Sequence, residues 1–387
     1  MSAMTLTFDA VDEPTPGPKW AARWARSWPA YEAWFLARGG DAGPSRKDCR
    51  AAMKRHMPEL VEVYDRLVAV AGGSDRAARF LSTWCPPTYL GGCSIAAVAG
   101  KNAVRLVRNY DLSPELNEGL LLRTEWTGRA VMGMVEFLWG LSDGINDAGL
   151  SVALAYGGRS ETAEGFGITT IVRYVLETCD TVDEALTALR RVPSHMAYNL
   201  VLADAGGRTA SVELSPGGGL TVMPRAIATN HQGGRSRADR PAFTRTFDRH
   251  AHLAALRVKP RKLIRQFLKP PLLQERYAEG FGTLFTAEYD PRGGTLGLTL
   301  MGDRWDQALD AFEEGQRVVN YSGRSSPAPA DLPAPAPNTG IDWSQAARID
   351  WRRVAADYAN GRGKDISAYL PAADTAGQSC HRLRRKQ

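Results

Sequence analysis

Apolar and polar positions alternate with the period of a helix in the amino-terminal part of the chain. Between residues 19 and 84, apolar side chains recur at three- and four-residue spacing, which predicts consecutive α-helices. Residues 1–18 are polar and carry three prolines, so we expect them to be loose. The first predicted helix carries an aromatic stripe, which favours core packing over a ligand site; it consists of Trp20, Trp24, Trp28 and Trp34.

Short apolar runs replace the helical pattern from residue 93 onward. CSIAAVA and AVRLVRNYDL predict strands joined by the turn GKN, and similar runs follow. Residues 167–192 predict two helices, and strand-like runs with glycine turns follow them. Because the strands come in runs, the pattern predicts an α+β fold with a largely antiparallel sheet. Two stacked sheets flanked by helices accommodate it.

The carboxyl-terminal part differs in composition from the rest. Residues 325–337, SSPAPADLPAPAP, predict a semi-rigid linker rich in proline and alanine. The segment IDWSQAARIDWRRVAADYANG beyond it predicts one amphipathic helix, which docks either on the body of the protein or on a partner.

Charge is unevenly distributed in an otherwise ordinary globular composition of 44% hydrophobic and 23% charged residues. The net charge is +6, and residues 234–270 hold eleven Lys and Arg against two Asp. Such a segment either attracts anions, such as coenzyme phosphates or acidic substrates, or forms a solvated helical face. It carries no nucleic-acid-binding signature, so we expect no nucleic-acid partner.

Cysteine usage and hydropathy indicate the compartment. Five cysteines at wide spacing, an odd number, favour neither a disulfide framework nor a zinc site, which fits a reducing compartment. The first residues lack the pattern of a signal peptide, and no apolar stretch reaches 18 residues. We therefore expect a cytoplasmic protein without a membrane span.

Cys93 stands at the start of a predicted strand, directly after Gly91 and Gly92. A glycine there permits an unusual backbone that brings the thiol onto the Gly92 carbonyl, so the acyl group can shift from nitrogen to sulfur. Hydrolysis would leave Cys93 with a free α-amine, whose pKa of about 7.7–8.0 suits a general base for its own thiol. The alternative is a cysteine in the core of a strand.

Further motifs show a resemblance to a known family. GGCSIAAVAG, RNYDL, EFLWGLSDGINDAGLSVALAYGGR, GFGITTIVRYVLETCDTVDEAL, RVPSHMAYNLVLADAGG and ATNHQ follow one another in order. In this order the chain resembles the acyl-coenzyme A:6-aminopenicillanate acyltransferase family of autoproteolytic N-terminal-nucleophile (Ntn) hydrolases. It is more distantly similar to choloylglycine hydrolases and penicillin V acylases.

The resemblance implies an α+β fold of the four-layer αββα type and cleavage between Gly92 and Cys93. Residues 1–92 would form a helical pro-segment that stays bound as a small chain, giving a heterodimer. Residues 93–322 would form the catalytic domain, residues 323–340 the linker, and residues 341–387 the helical tail.

The same resemblance assigns site residues. Cys93 matches the nucleophile, and Asp111 matches the aspartate that holds its α-amine. Arg108 matches an arginine beside the thiol, where a cation favours the thiolate. Asn230 matches a donor to the oxyanion. The alternatives are a surface ion pair for Arg108 and Asp111 and a turn residue for Asn230.

Other assignments are looser. Tyr156 stands where the choloylglycine branch has a second oxyanion asparagine, and a backbone N–H is the alternative donor. Arg245 is the candidate for a late arginine of the family site, with Arg249 close behind it. His231 is a candidate pocket residue, whereas His195 is assigned to the core.

These residues predict an enzyme that forms an acyl-thioester on Cys93. The acyl group then passes to an amine, as in an acyltransferase, or to water, as in an amidohydrolase. An acyl-coenzyme A is a candidate donor substrate, and no cofactor or metal is expected, because dinucleotide, P-loop, GxSxG and metal patterns are missing from the sequence. The alternative is a catalytically silent family member that acts as a binding or scaffold subunit.

Overall fold

A computed structural model describes residues 4–88, 91–233 and 238–322 of the 387-residue chain. The predicted linker and carboxyl-terminal helix lie outside the described residues. Among the described residues, no helix is both long enough and apolar enough to cross a membrane.

Sixteen strands form in the described residues. In chain order they are β1 Thr5–Asp12, β2 Gly92–Gly100, β3 Ala103–Leu112, β4 Leu120–Thr124, β5 Val131–Glu136, β6 Gly140–Asn146, β7 Ser151–Tyr156, β8 Tyr198–Ala203, β9 Thr209–Leu214, β10 Leu220–Met223, β11 Ile227–Ala228, β12 Glu275–Arg276, β13 Phe281–Asp290, β14 Thr295–Leu300, β15 Asp303–Ala308 and β16 Gly315–Asn320.

The strands build two sheets. The first has nine strands in the order β10-β9-β8-β7-β6-β5-β4-β1-β16, and the second has the path β11-β2-β3-β13-β14-β15 with β12 paired to β13. All neighbours are antiparallel except β1 and β4, which run parallel. The predicted antiparallel character is therefore confirmed.

Helices cover both outer faces of this pair of sheets. They are α1 Pro18–Ala37, α2 Arg46–His56, α3 Val61–Val70, α4 Asp75–Ser82, α5 Ile168–Thr178, α6 Val182–Arg191, α7 Pro241–Thr244, α8 Thr246–Ala255 and α9 Ile264–Phe267. Helix α5 packs on β6 and β7 of the first sheet, whereas α8 and α9 pack on β11 and β3 of the second. The predicted αββα sandwich is confirmed.

The core between the sheets consists of side chains at alternate positions of both. Ile95 and Leu106 of the second sheet meet Met132, Ala153 and Val201 of the first, and each is fully buried. Since alternate residues of a strand point to opposite faces, the same pattern directs Cys93 into this layer.

The amino-terminal helices α1 to α4 share a second core with the outer face of the first sheet. Trp20 and Trp24 of α1 are buried, and their rings stack 5.4 Å apart. Trp34 contacts the ring of Phe137, which follows β5. The interpretation of the aromatic stripe as core packing is confirmed.

The prediction that residues 1–18 are loose is wrong for the part of them that the structure describes. Residues 5–12 form β1, which lies between β4 and β16 in the first sheet. Phe8 and Ala10 face the inter-sheet core, with 0% and 3% of their surface exposed. The polar composition hides a short period-two alternation, and burial on one face is sufficient to order the strand.

Candidate active site

Cys93 is the second residue of β2 and lies opposite Tyr110 of β3. Only 1% of its surface is exposed, because it points into the layer between the two sheets. A buried thiol is ordinary in a core, so its charged neighbours decide whether it has a chemical role.

Gly92 is a glycine because of close packing. A Cβ atom there would lie 2.3 Å from the ring of Phe281 and 2.9 Å from the carbonyl oxygen of Asp111. Its φ lies outside the left-handed region that favours glycine. The predicted unusual backbone at this position is therefore wrong, and the close approach of β13 and β3 is the reason for the glycine.

Arg108 of β3 contacts the thiol directly. Its Nη2 donates to Cys93 Sγ at 3.1 Å, and its Nη1 donates to Ser142 Oγ at 2.8 Å and lies 3.5 Å from Asp143. The guanidinium also stacks 4.3 Å from the ring centroid of Tyr110. The alternative of a surface ion pair for Arg108 and Asp111 is wrong, since both are fully buried.

Burial and charge act in opposite directions on the thiol. Burial raises the pKa of Cys93 to about 11, the Arg108 guanidinium opposes this rise, and the carboxylates of Asp111 and Glu136 add to it. In the intact chain the thiol is therefore neutral near pH 7.

Asp111 lies at the end of β3, opposite Gly92 in the register. Thr283 Oγ1 donates to its Oδ1 at 2.7 Å, and Arg249 Nη1 lies 3.6 Å from its Oδ2. Burial raises the pKa of Asp111, and Arg249 counteracts that rise. Its Oδ2 is buried without a hydrogen-bond partner, so this oxygen has capacity to accept a further hydrogen bond.

Asn230 follows β11 and holds the backbone on both sides of the Gly92–Cys93 bond. Its Oδ1 accepts the amide N–H of Cys93 at 3.0 Å, and its Nδ2 donates to the carbonyl oxygens of Tyr156 at 3.2 Å and Gly91 at 3.4 Å. The Thr246 hydroxyl accepts the main-chain N–H of Asn230. Asn230 does lie in a bend after a strand, as the alternative predicted, but its side chain also holds the backbone around Cys93. Its role toward an oxyanion stays a prediction.

Arg249, and not Arg245, is the late arginine that reaches this cluster. Arg249 donates to the carbonyl oxygen of Cys93, to Ser94 Oγ at 2.8 Å and to Asn230 Oδ1 at 2.7 Å. Arg245 precedes α8 with a positive φ, and its half-exposed side chain pairs with Asp248. The preference for Arg245 is corrected, because the helix starts after it and directs position 249 inward.

Tyr156 and His231 lie beside Asn230. The carbonyl oxygen of Tyr156 supports Asn230, while its hydroxyl donates to Asp239 Oδ2 at 2.6 Å. The His231 ring contacts Phe247, and burial lowers its pKa to about 4. Their roles toward a substrate stay predictions.

Four further residues were missed by sequence reasoning. Ser142 and Asp143 orient Arg108, Thr283 orients Asp111, and Glu136 lies in a buried group with Tyr110. They come from β5, β6 and β13. Glu136, Ser142 and Asp143 lie inside the recognised motif EFLWGLSDGINDAGLSVALAYGGR, whereas Thr283 lies outside every recognised motif.

A cation thus contacts the thiol of Cys93, an amide bonds the main-chain nitrogen of the same residue, and a buried carboxylate lies on the paired strand. Groups of these kinds serve nucleophilic acyl transfer. In residues 4–88, 91–233 and 238–322, no three His, Cys, Asp or Glu side chains gather into a group that could hold a metal ion.

Comparisons with known proteins agree with the recognised motifs. The family described as acyl-coenzyme A:6-aminopenicillanic acid acyl-transferase matches residues 98–305, which is more than half of the chain. The match contains Arg108, Asp111, Asn230 and Arg249, and it begins five residues after Cys93. The predicted family resemblance is confirmed. No curated protein sequence matches the chain significantly.

Several solved structures are similar in fold. The conjugated bile acid hydrolase from Clostridium perfringens is 15% identical with a TM-score of 0.40, covering 62% of this chain and 100% of its own. Penicillin V acylase from Agrobacterium tumefaciens is 17% identical with a TM-score of 0.39, covering 55% and 84%. The N-acylethanolamine-hydrolyzing acid amidase orthologue of Caenorhabditis elegans is 15% identical with a TM-score of 0.40, covering 59% and 99%.

Proposed function

The chain belongs to the acyl-coenzyme A:6-aminopenicillanic acid acyl-transferase family, and from this premise we propose that it is a self-processing cysteine enzyme. Cys93 cuts the chain before itself and then carries acyl groups as a thioester. One observation carries the proposal: Arg108 bonds the sulfur of Cys93 while Asn230 bonds its amide nitrogen. Both atoms that the chemistry uses are held by fixed polar groups.

Self-cleavage proceeds in two balanced steps. The Cys93 sulfur attacks the Gly92 carbonyl carbon, the Gly92–Cys93 C–N bond breaks, and the thiol proton passes to the departing nitrogen. Water then hydrolyses the thioester, leaving a carboxyl group on Gly92, a thiol and a free α-amine on Cys93. Before cleavage the thiol is 1% exposed, so processing precedes turnover.

The new α-amine supplies the base for later turnovers. In the intact chain this nitrogen is the main-chain nitrogen of Cys93, whose N–H donates to Asn230 Oδ1. The unpartnered Oδ2 of Asp111, on the strand paired with β2, is a candidate acceptor for one of its protons. An amine with a pKa near neutrality takes the thiol proton as the sulfur attacks the substrate carbonyl.

The acyl-thioester then reacts with an amine or with water. The family name supports acyl transfer, and the basic segment 234–270 favours an anionic donor such as an acyl-coenzyme A. Incubating the processed enzyme with an acyl donor and an amine distinguishes the two outcomes. N-acyl product shows a transferase, whereas free acid alone shows a hydrolase.

The intact mass of the purified chain under denaturing conditions tests the processing step. We expect two pieces, residues 1–92 and 93–387, in the wild type and one uncut chain in Cys93→Ala. A single uncut species in both would overturn the proposal and favour a silent scaffold protein. Cys93→Ser is the matched control, because its hydroxyl is a weaker nucleophile and should cut more slowly.

A further inference from the structure

The turn between β5 and β6 is unusual in its backbone. Phe137 and Leu138 are consecutive residues with φ of +58° and +70°. Residues other than glycine, asparagine and aspartate seldom adopt this left-handed conformation, and they keep it only when their surroundings hold them there. The contacts that hold this turn therefore matter for whatever it positions.

Hydrogen bonds from helix α1 and Glu118 hold the turn in place. Glu118 Oε1 accepts the Leu138 N–H at 3.1 Å and also accepts the Tyr31 hydroxyl of α1. Trp20 of α1 donates from its indole to the Leu138 carbonyl at 3.0 Å. Both main-chain polar groups of Leu138 are thus hydrogen-bonded. The carbonyl is bonded directly to α1, and the N–H is linked to α1 through Glu118.

The turn leads directly into the strand that orients Arg108. Four and five residues after Leu138, Ser142 and Asp143 of β6 hold the Arg108 guanidinium, at 2.8 Å and 3.5 Å. Arg108 in turn donates to Cys93 Sγ at 3.1 Å. A shift of the turn would move the partners of Arg108, and an error of about 1 Å in a reacting group can cost on the order of 100-fold in rate.

We propose that Tyr31 and Glu118 are positioning residues of the active site. They hold the Phe137–Leu138 turn, the turn holds β6, and β6 aims Arg108 at Cys93. Neither residue touches the thiol. The inference rests on the proposed function, and it makes the amino-terminal chain a working part of the site after cleavage.

Four variants separate this role from general stability. Tyr31→Phe removes one hydroxyl and keeps the ring, Glu118→Ala removes the acceptor, and Glu118→Gln keeps an acceptor oxygen. Tyr174→Phe is the matched control, because the Tyr174 hydroxyl of α5 donates to Glu59 of the amino-terminal segment at 3.0 Å. That bond has the same chemistry and joins the same two parts of the chain, but none of its partners contacts Arg108.

The readout is the pH profile of Cys93 alkylation by iodoacetamide in the self-cleaved enzyme. Peptide mass spectrometry distinguishes Cys93 from the other free thiols. Several charged and titratable groups act on the thiol or on its arginine partner. They are Arg108, Tyr110 and Asp111 of β3, Glu136 of β5, Asp143 of β6, Arg249 of α8 and Tyr289 of β13. A thermal unfolding midpoint recorded for each variant shows whether a general loss of stability accompanies any change.

We expect Glu118→Ala and Tyr31→Phe to move the midpoint of the profile upward, because a displaced Arg108 stabilises the thiolate less. A shift of about one pH unit corresponds to about tenfold less thiolate below the midpoint. Glu118→Gln and Tyr174→Phe should follow the wild type. If Glu118→Ala does not fold, the comparison of the profile midpoints of Tyr31→Phe and Tyr174→Phe still tests the inference.

Identical profiles for Tyr31→Phe and Tyr174→Phe would overturn the inference while leaving the proposed function intact. A wild-type chain that never cleaves would overturn the proposed function, and the inference with it.

Discussion

Two buried guanidiniums define the surroundings of Cys93 at the scale of single residues. Arg108 bonds the sulfur, and Arg249 bonds the carbonyl oxygen of the same residue. Both are fully buried, where an arginine is stable only if its charge and its donors are matched by acceptors. Asp143 supplies the counter-charge for Arg108, and Asp111 supplies it for Arg249.

Replacing Arg108 by methionine should stop or strongly slow self-cleavage. The change removes the donor to the sulfur and leaves Asp143 buried without its cation, a defect that typically costs about 3–5 kcal/mol of folding free energy. Intact mass over time gives the cleavage rate, and denaturant unfolding gives the stability. Arg105→Met is the control, because Arg105 lies on the same strand but pairs with Asp290 near the surface. Equal cleavage rates in both variants would contradict the role of Arg108.

Glu136 should make stability depend on pH between about 4.5 and 7. Burial raises its pKa from 4.5 to about 7 in the folded chain, so the native state binds more protons than the unfolded state across this window. The free energy of unfolding is therefore highest below the unfolded pKa, where Glu136 is protonated in both states. It falls as pH rises through the folded pKa. Unfolding free energies at a series of pH values should fall more steeply in the wild type than in Glu136→Gln. Glu62→Gln, on the exposed side of α3, should match the wild type, and a slope unchanged in Glu136→Gln would refute this assignment.

The elements show which kinds of structure a sequence reveals. Runs of alternating apolar residues were sufficient to predict most strands and their antiparallel pairing, because hairpin partners are neighbours in the chain. The parallel pairing of β1 with β4 joins residues more than a hundred positions apart, and no local pattern indicates it.

Site residues could be predicted where a sequence motif contains them. Residues that come close to Cys93 only through folding could not be predicted. The motif around RNYD indicated Arg108 and Asp111 together, and both lie near Cys93 because β3 pairs with β2. Arg245 and Arg249 are one helical turn apart, and only the observed start of α8 decides between them. Thr283 lies in β13, outside the recognised motifs, so no sequence motif linked it to the thiol.

Strand β1 should contribute strongly to stability. Phe8 is fully buried between the sheets, and its ring meets that of Phe285 edge-on at 6.3 Å. Phe8→Ala should therefore cost about 3–5 kcal/mol of unfolding free energy, whereas Thr7→Ala on the opposite face should cost much less. Denaturant titration of both variants measures the difference. Similar small losses in the two would mean that β1 is dispensable.

At the scale of the whole molecule, the described part of residues 1–92 belongs to the same packed body as the two sheets. Helix α1 and α4 share a core with the first sheet, and β1 is an internal strand of that sheet. The proposed cleavage before Cys93 would remove one covalent bond and none of these contacts. The two chains of the proposed processed enzyme should therefore remain together in native buffer.

The internal place of β1 also changes how the protein would respond to dilution. An uncut chain unfolds as one molecule, so its unfolding midpoint is independent of concentration. Once cut, unfolding releases two molecules, and mass action favours their separation as the solution becomes more dilute. The midpoint of the processed enzyme should fall on dilution, whereas that of Cys93→Ala should not move. Self-cleavage would thus exchange a stability set by the fold alone for one that also depends on how much of the protein is present.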